Sequence, residues 1–368
     1  MSIASANLGP LMDRERLMNK AYFGGALKPL NSYLEGDPSL SLAGDRRRLR
    51  RKGCRHLFAL GFMLVVVLSA GAPLFGIGVS ISGQSRSDVL KIGYIETAFY
   101  DLRLKDAQVA LEMWGSSLIN RKESPLSKVD ALIIPSFALL QNAVSKDELD
   151  VVILGSVDYL MLKDRNLIEP VMAPNSRNDC LQNYLILVRK DRGINELAQL
   201  KNSRLLLALG GEGELPRIWL DTLLLKEGLG KSPLFFKETK AVEKASQAVL
   251  PVFFGQADAC LATARSFDSL RELNPQIGNE LVALKTSPRL LRGLICFRKS
   301  RAETEKKRTL DTMLKVHEDP QGQQILLLFH EERLVPFQDA YLDSAKNLLL
   351  EYEKLTAKYG NQNKESHR

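Results

Sequence analysis

Four cysteines, four histidines and two tryptophans are spread over 368 residues. No pair of cysteines is spaced as CxxC, which argues against a zinc framework or a thiol redox motif. No GxSxG, HExxH or P-loop pattern occurs, so the sequence shows no nucleophile elbow, zincin helix or nucleotide cradle. We expect a protein that is not an enzyme, with no catalytic residue, no metal ligand and no cofactor. Histidine is also absent from the places where acid–base work would need it: His56 precedes an apolar run, His367 lies in the tail, and His317 and His330 fall in a C-terminal helical region away from the cleft expected below. Of the cysteines beyond Cys54, Cys260 and Cys296 sit in apolar strand-like runs and read as buried thiols, while a disulfide between two of Cys180, Cys260 and Cys296 stays open.

A basic excess is missing from most of the chain. Residues 1–83 hold eleven Lys/Arg against five Asp/Glu and so account for most of the net +8. The remainder is near balance, which gives no reason to expect a nucleic-acid partner. Charge is wholly absent from Leu57 to Ile81, directly after the block Arg46-Arg47-Arg48-Leu49-Arg50-Arg51-Lys52. A basic stretch before an apolar run reads as an export signal or a membrane anchor with its basic end inside. Cleavage and retention both stay open. The run is long enough to span a bilayer, yet Gly71, Pro73, Gly76 and Gly78 interrupt it. We therefore expect a basic, disordered region over 1–56, a signal peptide or anchor over 57–83, and a periplasmic or extracytoplasmic location, either released or held in the inner membrane by residues 57–81.

What remains is rich in α/β signals, and 45% hydrophobic with 26% charged residues suits a globular chain of two lobes. The organising stretch is 183–228. It runs as an apolar strand Tyr184 to Val188, a short helix with Ile194, Leu197 and Leu200 at helical spacing, a second strand from Arg204 to Leu209, the turn Gly210-Gly211-Glu212-Gly213, and a helix carrying Leu215, Ile218, Trp219 and Leu223. Upstream, KIGYI, the apolar run Val129 to Ile134 and DVVIL read as strands separated by helices from Thr97 and Phe137. Downstream come a helix from Val242 to Phe254, strands at Ala259 to Ala262, Leu281 to Leu284 and Leu294 to Phe297, and a last helix from about Asp339 to Tyr359 that buries Leu342, Leu348, Leu349 and Tyr352. Trp114 and Trp219 both fall in helices and read as core.

The order YLILVRKDRGI, NELAQLKNSRLLL, GQADACLAT and the tail DPQGQQILLLFHEERLVPFQDAYLD resembles type 2 periplasmic solute-binding proteins, and among them the phosphate/phosphite/phosphonate-binding family of ABC transporters. The resemblance spans roughly Leu90 to Leu342. It implies an α/β fold of two lobes joined by a hinge of crossing strands, with 84–188 and 285–368 as lobe one and 189–284 as lobe two. It also implies a small-molecule ligand between the lobes and a membrane permease or sensor component as partner.

Ligands of such folds meet loops at the C-terminal ends of strands and the N-termini of helices. Those places here hold Glu96, Thr97, Ser136, Ser156, Asp158, Tyr159, Gly211, Glu212, Gly213 and Asp258. Thr97 and Ser136 also suit helix caps, and Ser156 suits a cap as well as a ligand contact. Asp158 also suits a first helical turn and Tyr159 a core position; Asp258 matches, by the resemblance, a cleft acid that meets a ligand's amino group. Where the family carries a Ser/Thr-rich loop for phosphonate oxygens, this chain reads LGGEGELPRIW. Two carboxylates at a helix start disfavour an oxyanion, so a cationic or zwitterionic ligand, or none, fits better. Two other readings stay open: a membrane-anchored ligand-sensing or accessory domain, and a small-carboxylate enzyme on the same fold.

Overall fold

The computed structural model describes residues 89–99, 104–119 and 127–365. The basic N-terminal region, the 57–83 signal or anchor, Cys54, His56 and His367 lie outside the described residues. Among the described residues no helix is long and apolar enough to cross a membrane.

The chain opens with β1 (Val89–Ile95), α1 (Leu104–Ile119), β2 (Lys128–Ile134), α2 (Phe137–Ser145), β3 (Val151–Gly155), α3 (Ser156–Met161) and β4 (Ile168–Asn175). It leaves through β5 (Leu181–Gln182) into β6 (Tyr184–Arg189), β7 (Arg204–Ala208), α4 (Leu215–Lys226), α5 (Ser232–Phe235), β8 (Glu238–Val242), α6 (Ala245–Phe253), β9 (Ala259–Thr263), α7 (Ala264–Leu273), α8 (Pro275–Glu280) and β10 (Leu281–Thr286). It returns through β11 (Leu290–Leu291) to β12 (Gly293–Arg298), α9 (Glu303–Leu314), α10 (Pro320–Leu328), β13 (Arg333–Pro336) and α11 (Asp343–Glu365).

Among the described residues two sheets form, ordered β13-β4-β12-β3-β1-β2 and β10-β6-β9-β7-β8, with the short antiparallel pair β11-β5 between them. Strands followed by a crossover helix pair in parallel, as β1 does with β2 and β3, and β7 with β8 and β9. The strands that enter or return across the hinge run antiparallel, β6 on β9 and β12 on β3. Central strands such as β9 are buried along their whole length, since helices cover both faces.

Three expectations change here. Boundaries at 188/189 and 284/285 would cut through β6 and β10, which pair with each other in the second sheet; the chain crosses instead at β5 and β11. The helix expected from Val242 begins at Ala245, and the residues before it form β8, an edge strand whose polar ETKAV sequence hides it from a hydrophobic pattern. The last helix, expected with lobe one, packs on lobe two. Its Ala345, Leu348 and Leu349 join Leu220 and Leu224 of α4 in one core, and Lys226 pairs with Glu351 at 2.8 Å. Trp114 and Trp219 are core residues, and Cys260 and Cys296 are fully buried free thiols whose burial pushes their pKa up. Cys180 is free as well.

Candidate functional site

A cleft of about 910 Å3 opens where the C-terminal ends of β7, β8 and β9 face the lobe-one segments around β4, β12 and β13. The loop after β7 enters it. Gly211 and Gly213 take φ of +68° and +60°, a left-handed backbone that glycine adopts at the least steric cost. These two turns swing the side chain of Glu212 between them, where it is 8% exposed.

The Glu212 carboxylate is held by the hinge. Tyr184 donates its hydroxyl to Oε2 at 2.7 Å, and the Gln182 amide donates to the same oxygen. Oε1 accepts no hydrogen bond from a described residue. Burial raises the Glu212 pKa, opposed by the guanidinium of Arg292 and by the Tyr184 and Gln182 bonds. Burial and then the Glu212 charge hold the Tyr184 hydroxyl well above its ordinary pKa, so it remains a donor.

Arg292, between β11 and β12, pairs with Glu331 and donates to Phe329 O at 3.1 Å. Burial raises the Glu331 pKa, and Arg292 and Arg265 oppose it. Arg265, on α7, donates to the carbonyls of Asp179 and Leu181 at 2.7 and 3.1 Å, tying lobe two to the crossing chain. Arg177, Lys244 and Arg333 add positive charge to the wall, and Glu243 and Glu332 add negative charge. Charges of both signs therefore line the cleft, in place of the purely positive wall that would suit a bare dianion. Among the described residues no group of three or more His, Cys, Asp or Glu side chains is placed to hold a metal ion.

The residues anticipated from sequence divide into three groups. Glu212 lines the cleft, while Thr97, Gly211 and Gly213 line a smaller apolar pocket beside it. Ser136 and Ser156 serve the backbone instead: Ser136 caps α2 by accepting from Leu139 N at 3.3 Å, and the fully buried Ser156 donates to Leu291 O at 2.7 Å. Tyr159 packs between the cores of the two lobes, and Glu96 starts a 3-10 turn after β1. Asp258 is at the wrong end of the sheet. Its carboxylate accepts from Arg204 N at 2.8 Å, at the N-terminal ends of β7 and β9, whereas the cleft lies at their C-terminal ends. A five-residue strand separates the two by roughly 15 Å. The histidines reverse in the other direction: His317 and His330, expected away from the cleft, line it.

Asp158 contributes to the join between lobes. Its carboxylate accepts from Gly155 N at 3.2 Å. Burial raises its pKa to about 7; the Gly155 bond lowers it, and the charge of Glu214, at the start of α4 in the other lobe, raises it. A carboxyl that binds its proton more tightly when folded stabilises the fold fully below the unfolded pKa, and that contribution is lost as pH rises toward 7. Asp158→Asn is therefore expected to match wild type near pH 4 and to exceed it at pH 8 by about 2–4 kcal/mol. Urea unfolding across that range tests this, and a wild-type advantage at pH 8 contradicts it.

Sequence reasoning missed Gln182, Tyr184, Arg265, Arg292 and Glu331. Gln182, at the end of β5, and Tyr184, at the start of β6, flank Asn183 where the chain enters lobe two, and this i, i+2 spacing was a readable signal. The others reach the cleft through pairing partners distant in sequence.

A model of the family described as "ABC transporter, phosphonate, periplasmic substrate-binding protein" matches residues 121–342. No curated protein matches the sequence. Similar solved structures include a binding protein component of an ABC phosphonate transporter from Pseudomonas aeruginosa, 17% identical with TM-score 0.51, covering 73% of this chain and 87% of its own. PhnD1 from Prochlorococcus marinus in complex with methylphosphonate is 15% identical with TM-score 0.51, over 71% of this chain and 97% of its own. A Xanthomonas citri protein bound to ATP is 17% identical with TM-score 0.51, over 73% and 98%. These structures establish the two-lobed periplasmic-binding-protein fold.

Proposed function

The chain belongs to the family of periplasmic substrate-binding proteins of ABC phosphonate transporters, and from that premise we propose that it captures a cationic or zwitterionic solute between its lobes and presents it to a membrane permease. The observation that carries this reading is Glu212. It stands in the loop where the resemblance places oxyanion-binding hydroxyls, and its Oε2 is already engaged by Tyr184 and Gln182. Oε1 remains to accept from a ligand ammonium or other donor. An acidic group on the same ligand would meet Arg292 or Arg265. The lobes would close about the β5–β11 crossing, the only strand pair between the two sheets among the described residues.

By the same reading residues 57–83 export the chain and, if retained, tether it; the mass of the exported protein separates these outcomes. For the small-carboxylate enzyme reading, Asp258 is not available as a cleft acid, because it lies at the far end of β7 and β9.

Thermal unfolding against amines, amino acids, polyamines, phosphate and phosphonates tests the ligand class. A ligand at a hundred times its Kd adds about 2.7 kcal/mol of stability, or roughly 5–10 °C in Tm. Glu212→Gln is expected to weaken a cationic ligand about 10- to 100-fold, the worth of a charge-assisted bond. Stabilisation by phosphonates alone, unchanged in Glu212→Gln, overturns the reading.

A further inference from the structure

Beside the polar cleft lies a second cavity, and nearly all of its wall is apolar. It measures about 120 Å3 and sits inside lobe one between the sheet and helices α1 and α10. Tyr94 and Trp114 meet edge to face on one side, with ring centres 6.2 Å apart. Ile325 and Leu326 of α10, with Phe329 at its C-terminal cap, form the other side.

Its mouth opens into the cleft. Arg292 and Glu331 line both spaces, and the loop after β7 divides them residue by residue: Gly210 and Glu212 face the polar side, Gly211 and Gly213 the apolar side. The roof is thus glycine backbone from lobe two, and a Cβ added at Gly213 would meet nothing within 4 Å. Native cores are packed to crystal density and seldom leave a void of this size. A cavity of about 150 Å3 lined by aliphatic and aromatic side chains stays dry and takes up benzene. The present one is large enough for a single ring or a branched alkyl group, and its inner wall of Ile153, Ile295, Ile325 and Leu326 offers a water little to bond.

We propose that this cavity is a subsite for a compact apolar substituent of the captured solute, a single ring or branched alkyl group inserted between Trp114 and α10 while the polar end stays in the cleft against Glu212 and Arg292. This deepens the cleft reading and rests on it. The solute is then amphiphilic, and the apolar group separates it from the smallest polar metabolites that share its head group. Each methylene moved from water into the pocket tightens binding about fourfold.

The test uses the full chain and two kinds of probe. Benzene, which has no head group, is expected to raise Tm in wild type and to lose that effect in Ile153→Trp, which fills the pocket from β3. Leu326→Phe fills it from α10 and serves if the first variant fails to fold. A shift that is absent in wild type, or equal in wild type and both variants, overturns the proposal. Titrations then compare glycine with leucine, methylamine with benzylamine, and methylphosphonate with phenylphosphonate. At least tenfold tighter binding of the larger member of a pair, lost in the filled variants, supports the proposal. Binding of the small members with no gain from the substituent overturns it and leaves the cleft reading intact. A pocket that takes benzene in a protein that binds no head group overturns the cleft reading and, with it, the assignment of the pocket to a solute.

Discussion

Asp150→Ala is expected to cost about 3–5 kcal/mol of unfolding free energy, the usual loss when one partner of a buried ion pair is removed. Asp150 stands just before β3, at the end of the lobe-one sheet remote from the cleft, and is 5% exposed. One oxygen meets both Arg298 and Arg301 at 3.0 Å, and the other accepts from Lys91 N at 2.9 Å. The Arg301 side chain is 4% exposed, so water does not replace the lost carboxylate. Glu305 at 3.1 Å from Arg301, and Asp147 at 3.4 Å from Arg298, keep the cost from rising further. Asp150→Asn retains an acceptor for Lys91 N and is expected to lose about half as much. Urea unfolding measures both, and a loss under 1 kcal/mol for Asp150→Ala would show that the two guanidiniums relax to other partners. Ligand-induced stabilisation is expected to survive, because the cluster lies at the opposite end of the sheet from the site.

Gly322→Ala is expected to destabilise by about 3 kcal/mol or more, at the upper end of overpacking costs. Gly322 is within the first turn of α10, and a Cβ there would lie 1.8 Å from the carbonyl oxygen of Val316. The obstruction is backbone, so no side-chain rotamer relieves it. Helix propensity runs the other way, since alanine is favoured over glycine inside a helix by about 1 kcal/mol. The sign of the effect therefore separates packing from propensity. Gly360→Ala, at an exposed position of α11 with nothing within 4 Å of the new methyl, is the control and is expected to be neutral or stabilising. Because α10 carries Ile325 and Leu326 and ends at Phe329, any Gly322→Ala protein that folds is also expected to lose the benzene response. Equal stability of Gly322→Ala and wild type would mean that α10 moves freely away from Val316.

Much of the fold was legible because burial leaves a periodic trace. β1, β3, β6, β7, β9 and β12 stand where continuous apolar runs place them, and α11 buries Leu348 and Leu349 as its spacing predicts, with Leu342 buried in the 3-10 turn just before it. The edge strand β8 was invisible for the converse reason: its residues are exposed or half-buried and carry no such trace. Of the site, the loop Gly210–Gly213 was legible from glycines between a strand and a helix. Asp258 was misjudged because a turn beside a strand looks alike in sequence at either end, and only the parallel pairing of β7 with β9 shows which end faces the other lobe.

The sequence by itself determined the strand–helix alternation, the glycine turn with its inserted carboxylate, the buried thiols and the family, since each depends on residue type and local spacing. Only the tertiary structure decided that Arg292 and Glu331 meet, that His317 and His330 border the cleft, that the last helix packs on lobe two, and that a largely apolar cavity adjoins the cleft. Those contacts join residues tens to more than a hundred positions apart, and their geometry is set by how two sheets close around one short crossing pair, which no local pattern encodes.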